Sequence, residues 1–205
     1  MSKFQSVTSE KIFLDVVRLS FPVLITPRSF TKGQEPKFQS TFLLDPSGKA
    51  HAKMIKEIKK QYKLVVAESF GKGTKIPANK RCFGLAKNHP KKKEYDGYEG
   101  MFYIATSNDT RPTLAGKKRE RLDDDDVRTL LYAGAYVNTV VTLWTQDHEV
   151  GGQGVNANLR IVQFVKNGEA FGRGPADADE ELKDVDIEDD DDDANDDWDD
   201  EEDLD

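Results

Sequence analysis

The chain has 205 residues, and its formal net charge of −8 is divided: residues 1–175 carry +11 and residues 176–205 carry −19. Its single cysteine, Cys82, excludes an internal disulfide, and three scattered histidines disfavour a Cys/His zinc site. No apolar run reaches the about 20 residues that span a bilayer, and the N-terminus lacks a signal-type apolar segment. We therefore expect a cytoplasmic protein without a membrane partner.

The first part of the body is predicted to form two strands and one helix. Residues 11–21 are rich in β-branched and aromatic side chains and stop before Pro22, and residues 37–45 alternate apolar with polar side chains. A helix opens at Asp45-Pro46-Ser47. Its apolar positions recur at helical spacing, at Ile55, Ile58, Tyr62 and Val65. The helix lysines fit a solvated outer face, with phosphate contact as the alternative.

Four more strands are predicted, over residues 81–87, 99–107, 135–146 and 155–166. A basic loop covers residues 88–97, residues 108–126 are polar, and a glycine-rich turn joins the last two strands into a hairpin. So many strands with one amphipathic helix predict a mainly β domain over residues 1–175, an OB-fold-like barrel of five or six strands. Residues 176–205 are too charged to pack and are predicted to be a disordered acidic tail.

Catalytic signatures are missing from the sequence, so we expect neither catalysis nor a cofactor. No glycine-lysine pair has the surroundings of a phosphate-binding loop, and no metalloprotease or nucleophile-elbow motif is present. The acidic run of Asp123, Asp124, Asp125 and Asp126 leaves a Mg²⁺-dependent nuclease open as a rival. Consecutive carboxylates splay in several directions, however, and a solvated helix start before residues 127–131 accounts for them better.

Basic loops beside strands with outward aromatic rings suit single-stranded nucleic acid, because cations follow the phosphates and flat rings stack on bases. The predicted phosphate contacts are Arg28, Lys32, Lys87, Lys91, Lys92, Lys93, Arg111, Lys117, Lys118 and Arg119. The predicted stacking rings are Tyr95, Tyr103, Tyr136 and Trp144, each of which could instead belong to the core. RNA and duplex DNA stay open as ligands.

The acidic tail is long and charged enough to reach a basic surface, since about 30 flexible residues span roughly 30 Å. We expect it to compete with nucleic acid for the groove and, once displaced, to offer Trp198 and Leu204 to partner proteins. A plain solubility role, or an acidic-tailed chaperone or scaffold that binds basic proteins, are the alternatives.

Three segments together resemble the single-stranded DNA-binding proteins of tailed bacteriophages, the gene-2.5 type and relatives that include a family long known only as a domain of unknown function. They are YAGAYVNTVVTLW…GGQGVNANLRIVQFVKNGEAFG (132–172), the helix after FQSTFLLDP (38–46) and the acidic tail. The resemblance implies an OB fold, sequence-independent binding of single-stranded DNA in phage replication or recombination, and a tail that contacts replication proteins such as DNA polymerase. Members of the wider class often end in an aromatic residue, whereas this chain ends Asp203-Leu204-Asp205.

Overall fold

The computed structural model describes residues 4–29, 33–149 and 151–172. Its strands and helices are β1 (Ile12–Arg28), β2 (Lys37–Leu44), α1 (Lys49–Phe70), β3 (Phe83–Leu85), β4 (Phe102–Asn108), β5 (Thr113–Ala115), α2 (Asp124–Leu130), β6 (Tyr136–His148) and β7 (Gly152–Lys166). Single-turn 3-10 helices lie over Ala78–Lys80, Ala86–Asn88 and Lys92–Glu94. Lys32 and the predicted tail, with Trp198 and Leu204, lie outside the described residues.

Five strands close into a barrel in the order β1, β2, β4, β7, β6 and back to β1. Neighbouring strands are antiparallel except β4 and β7, which run parallel and pair at Ser107 and Asn158. Beside that junction Cys82 bridges the two strands, because its N–H donates to the Val155 carbonyl and its carbonyl accepts from the Ala105 N–H. A five-stranded Greek-key barrel is the OB architecture. The predicted OB-type fold is therefore confirmed.

The barrel interior is filled by alternate side chains of the five strands, among them Leu14, Phe42, Ile104 and Val141. Because successive side chains of a strand point to opposite faces, the intervening residues point outward and form the surface available to a ligand. The burial of Val137, Val141 and Leu143 in β6 follows the face predicted for that strand.

Helix α1 packs against β1, β2 and β6 and buries the predicted residues Ile55, Ile58 and Val65. It begins at Lys49, later than the predicted opening, since the Asp45 carboxylate accepts from the N–H and hydroxyl of Ser47 in a turn before the helix. No helix in the described ranges is long and apolar enough to cross a membrane.

Strand β1 continues through Pro22, where the sequence predicted an end. The pairing with β2 shifts register between Ser20 and Val23, so Pro22 lies in an irregular stretch where the ladder does not need its missing N–H. A second shift, in the pairing with β6, lies between Leu14 and Val17. Such bulges bend a strand and redirect side chains.

The polar stretch 108–126, predicted to lack a strand, contains β5. This strand has three residues and runs parallel to β7, with Leu114 opposite Val162. The sequence signal is short, because the strand has three residues, of which Leu114 and Ala115 are buried and Thr113 is exposed.

Candidate nucleic-acid interface

A groove crosses the outer face of the barrel. It consists of two cavities of about 470 and 500 Å³, and Arg28 and Gln39 line both of them. Aromatic side chains stand at both ends, with Phe21 and Tyr95 in the first cavity and Trp144 in the second. Of the predicted site residues, the groove brings together Arg28, Lys92, Tyr95 and Trp144.

Phe21 lies at the groove although the sequence assigned it only to a strand end. Its φ of 47° is unusual for a residue with a side chain, and the ring is 50% exposed. The ring meets Tyr95 edge-on, with centroids 5.1 Å apart. The bulge in β1 therefore turns an aromatic ring outward beside a second one. The signal that could have found it is the proline that follows, which marks an irregular stretch of strand.

The basic loop before β4 is fixed to the barrel by Tyr98, a residue that sequence reasoning missed. Tyr98 is fully buried, and its hydroxyl donates to Ser20 Oγ at 3.0 Å. With Leu43, Ala86 and Tyr103 it forms a small second core on the outer side of the sheet. Tyr103 is consequently only 5% exposed, which leaves no open ring face for a base. We therefore do not retain Tyr103 as a stacking residue.

Lys92 lies on a cluster of tyrosines inside this loop. Its Nζ is 4.8 Å from the ring centroid of Tyr103, 5.6 Å from that of Tyr98 and 6.0 Å from that of Tyr95. Burial lowers the pKa of Lys92. Within the described part of the chain no carboxylate pairs with it. The ammonium is held by ring faces, so its charge is available to an anion in the groove.

The neighbouring lysines are placed differently. Lys91 and Lys93 are exposed on the loop and do not line the groove, and Lys93 lies 3.8 Å from the Glu94 carboxylate. Lys87 is exposed in the preceding 3-10 helix. These three side chains add positive charge near the groove without forming its wall.

The second end of the groove combines one ring with amide side chains. Trp144, on β6, is half-buried and lines the cavity together with Gln146 and Asn156, whose side chains share a hydrogen bond of 2.8 Å. Lys37 also lines it, and its ammonium is 3.0 Å from the Asp109 carboxylate. Lys37 was not among the predicted phosphate contacts.

Tyr136 lies away from the groove, near the other end of β6. Arg18 lies over its ring at 4.9 Å and Lys166 at 4.6 Å from the centroid. Gly168 packs so closely that a side chain there would contact the ring. Two cations and the backbone thus occupy the surroundings of Tyr136, and we do not retain it as a stacking residue.

The predicted cations after β4 do not line the groove either. Arg111 donates to Asp124 Oδ1 at 2.6 Å and to the Leu24 carbonyl at 3.1 Å, so it ties β1 to the start of α2. Lys117 lies 5.6 Å from the Phe164 ring centroid. Lys118 and Arg119 are exposed in the turn after β5. They form a separate basic surface near the far end of the β6–β7 hairpin.

The acidic run before and within α2 has structural partners. Asp123 is the N-cap of α2, and its Oδ1 accepts from the backbone N–H groups of Asp125 and Asp126. Asp124 pairs with Arg111, and Asp125 pairs with Arg128 at 2.7 Å. In the described ranges no three His, Cys, Asp or Glu side chains converge as metal ligands would. The arrangement does not favour the nuclease alternative.

An OB barrel with an aromatic and cationic groove across its face defines the class of oligonucleotide- and oligosaccharide-binding OB-fold proteins. Within that class, the model of the family described as Enterobacter phage Enc34, ssDNA-binding protein, matches residues 10–194, and the chain belongs to this family. The resemblance to phage single-stranded DNA-binding proteins is thereby confirmed.

Individual relatives agree with this assignment. Protein p50 of Acyrthosiphon pisum secondary endosymbiont phage 1 is 35% identical over 184 residues, covering 85% of this chain and 94% of p50. The single-stranded DNA-binding protein from bacteriophage Enc34, solved in complex with ssDNA, has a TM-score of 0.70 and 28% identity, covering 79% of this chain and 89% of that one. The bacteriophage T7 single-stranded DNA-binding protein gp2.5 has a TM-score of 0.50 at 12% identity, covering 87% and 95%, and shows a shared fold.

Proposed function

We propose that the chain binds single-stranded DNA, without sequence preference and without catalysis, in the groove from Phe21 to Trp144. The observation that carries this is the pairing of two aromatic ends with cationic side chains on one OB face. Membership of a family described as ssDNA-binding, and a relative of similar structure solved with ssDNA, support it.

The groove chemistry explains how such binding would work. The rings of Phe21, Tyr95 and Trp144 offer flat apolar faces on which unpaired bases stack, a contact that every base can make. Arg28 and Lys92 supply positive charge to phosphates between them. The amide groups of Gln146 and Asn156 already bond to each other, so they provide little direct readout of base edges.

We further propose that the protein acts in phage DNA replication or recombination and that its acidic tail regulates the groove. The segment before the tail is held by the barrel: Tyr132 Oη donates to the Gly168 carbonyl at 2.8 Å, and the Gly172 N–H donates to Asp96 at 3.1 Å. Asp96 follows Tyr95, so the described chain stops beside the first end of the groove. We propose that the tail of net −19 competes with DNA for the groove and, when displaced, recruits replication proteins such as DNA polymerase through Trp198 and Leu204.

One titration tests these statements together. The full chain and a chain ending at residue 175 are titrated with single-stranded DNA, duplex DNA and RNA over a range of salt. We expect single-stranded DNA to bind, with a log–log salt slope of roughly −0.7 per phosphate neutralised. Removing the tail should tighten binding at low salt.

The outcomes of this titration separate the proposals. Salt-independent affinity contradicts the electrostatic groove, and unchanged or weaker affinity after truncation contradicts tail competition while leaving DNA binding intact. Negligible affinity of both chains for nucleic acid favours a chaperone or scaffold, and tighter binding of RNA or duplex reassigns the ligand. Cleavage of labelled DNA with Mg²⁺ would establish a nuclease.

A further inference from the structure

An apolar stripe crosses three strands on the outer face of the barrel, away from the groove. Phe13 of β1 pairs with Val140 of β6, and Val140 pairs with Ile161 of β7. Residues that face each other across strands project to the same side of the sheet. Phe13 is 57% exposed and Ile161 is 37% exposed. The row of apolar side chains perpendicular to the strands is thus open to water at Phe13 and Ile161, with the half-buried Val140 between them.

Nothing in the groove accounts for this stripe. None of its residues lines either groove cavity, and Val140 is four residues from Trp144 along β6, which corresponds to about 13 Å. Phe13 is the most exposed of the large hydrophobic side chains in the described ranges. Contiguous exposed apolar side chains mark interaction surfaces when polar groups surround them.

The charges beside Phe13 indicate which partner fits. Lys11, immediately before β1, and Asp15 within it are exposed with Phe13, whereas Ile12 and Leu14 between them are buried. They stand two residues before and two residues after Phe13, so opposite charges flank the stripe on its two sides. A surface with this arrangement is complementary to itself after a half-turn about the line of the stripe.

We propose that the stripe is a contact between two copies of this chain, packed sheet against sheet around a two-fold axis that runs along it. Such an axis places Phe13, Val140 and Ile161 against their own counterparts and makes the two β1 strands antiparallel. Lys11 of each copy then faces Asp15 of the other. An isologous contact of this kind uses one patch on both subunits, and aligned sheets pack about 10 Å apart.

The small area of the stripe limits the affinity of the proposed dimer. Three apolar side chains per copy cover less than the roughly 800 Å² per partner of a standard stable interface. Self-association is therefore weak, with a dissociation constant of about 10 to 500 µM, a range set by the limited area. The contact leaves both grooves open.

Sedimentation equilibrium of the full-length protein tests this over about 10 to 1,000 µM, a range that brackets the expected constant. Phe13→Ser should raise the dimer dissociation constant about tenfold or more, because it removes the most exposed apolar side chain from the axis. Lys11→Asp and Asp15→Lys should each weaken the dimer about fivefold, since each turns two attractive pairs into repulsive ones.

The decisive variant is the double exchange Lys11→Asp with Asp15→Lys, which restores opposite charges across the axis and should return the constant to within about twofold of the wild-type value. Lys63→Asp, on an exposed position of α1, makes the same charge change elsewhere and is expected to have no effect. A wild-type protein that stays monomeric overturns the proposal. So does a dimer that these substitutions leave unchanged, or a double exchange that fails to restore association while a thermal melt shows the fold intact.

Discussion

Removing the indole of Trp144 is the sharpest perturbation of the groove. Among the described residues, Trp144 is the one aromatic side chain lining the cavity of about 500 Å³, so Trp144→Ala leaves that end of the groove without a stacking surface. Base–aromatic stacking contributes roughly 1–3 kcal/mol per base. At about 1.4 kcal/mol per tenfold, this corresponds to an increase of roughly 5- to 150-fold in the dissociation constant for single-stranded DNA.

The measurement uses fluorescence anisotropy of labelled oligonucleotides of mixed sequence at fixed salt. Trp144→Phe should recover most of the affinity, because a smaller ring still stacks. The chain contains two tryptophans, so a Trp198→Phe background makes Trp144 the single reporter. DNA should quench its emission as a base covers the indole.

Tyr136→Ala provides the matched control, since it removes a ring of the same strand that lies between Arg18 and Lys166 and outside the groove. We expect its dissociation constant to stay within about twofold of the wild-type value, because no stacked base is lost. If Trp144→Ala retains wild-type affinity while the protein stays folded, this end of the groove does not bind bases. A larger loss for Tyr136→Ala would place DNA on the other part of β6.

Three further predictions concern single residues. Burial lowers the pKa of Lys92, so this side chain loses its charge at a lower pH than an exposed lysine does. Affinity for single-stranded DNA at constant salt should therefore fall as pH rises through that range. Lys92→Arg should keep its affinity in the same titration. Asp123→Ala removes the cap of α2 and should lower the free energy of unfolding by about 1 kcal/mol in urea; an unchanged midpoint would contradict the capping role. Gly134 has a φ of 110°, and a side chain at this position would be directed at the Glu169 carbonyl. Gly134→Ala should therefore destabilise the fold by about 1–3 kcal/mol and expose residues 168–172 to protease. Gly33→Ala is the control: Gly33 has a φ of 87° with open space around it, so this substitution should cost only the backbone strain.

The barrel was predictable from the sequence because its strands carry strong local signals. The alternation of β6 and β7 and the glycine-rich turn between them predicted the hairpin, and the helical spacing in α1 predicted its buried face. The short strand β5 was missed because its pairing with β7 is a long-range contact with little local signature. The passage of β1 through Pro22 was missed for a related reason, since the shift in register depends on the partner strand.

A groove with aromatic and cationic side chains was predictable from the sequence, but only some of the residues that line it were. Loop position and residue type selected Arg28, Lys92 and Tyr95, and the outward face of an alternating strand selected Trp144; all four line the groove. The same criteria also selected Tyr103, Tyr136 and Arg111, which the structure covers or pairs. Whether an outward ring stays open depends on what folds over it, and Tyr103 is covered by the loop that Tyr98 anchors. The alternation of apolar and polar residues predicts on which face of the sheet a side chain lies, but not whether another segment of the chain covers that face.

Two residues at the bulges of β1 have a positive φ, and they differ in whether local contacts offset its cost. Val16 and Phe21 both have positive φ, 51° and 47°, which costs about 1–2 kcal/mol for residues with a side chain. At Val16 the cost is offset locally, because its N–H donates to Asn138 Oδ1 at 2.9 Å and its carbonyl lies 3.3 Å from His51 Nε2. At Phe21 the ring is half exposed, so burial offsets little of the cost. Strain that packing does not offset is expected at binding sites, and this supports the proposal that Phe21 stacks on bases together with Tyr95 and Trp144.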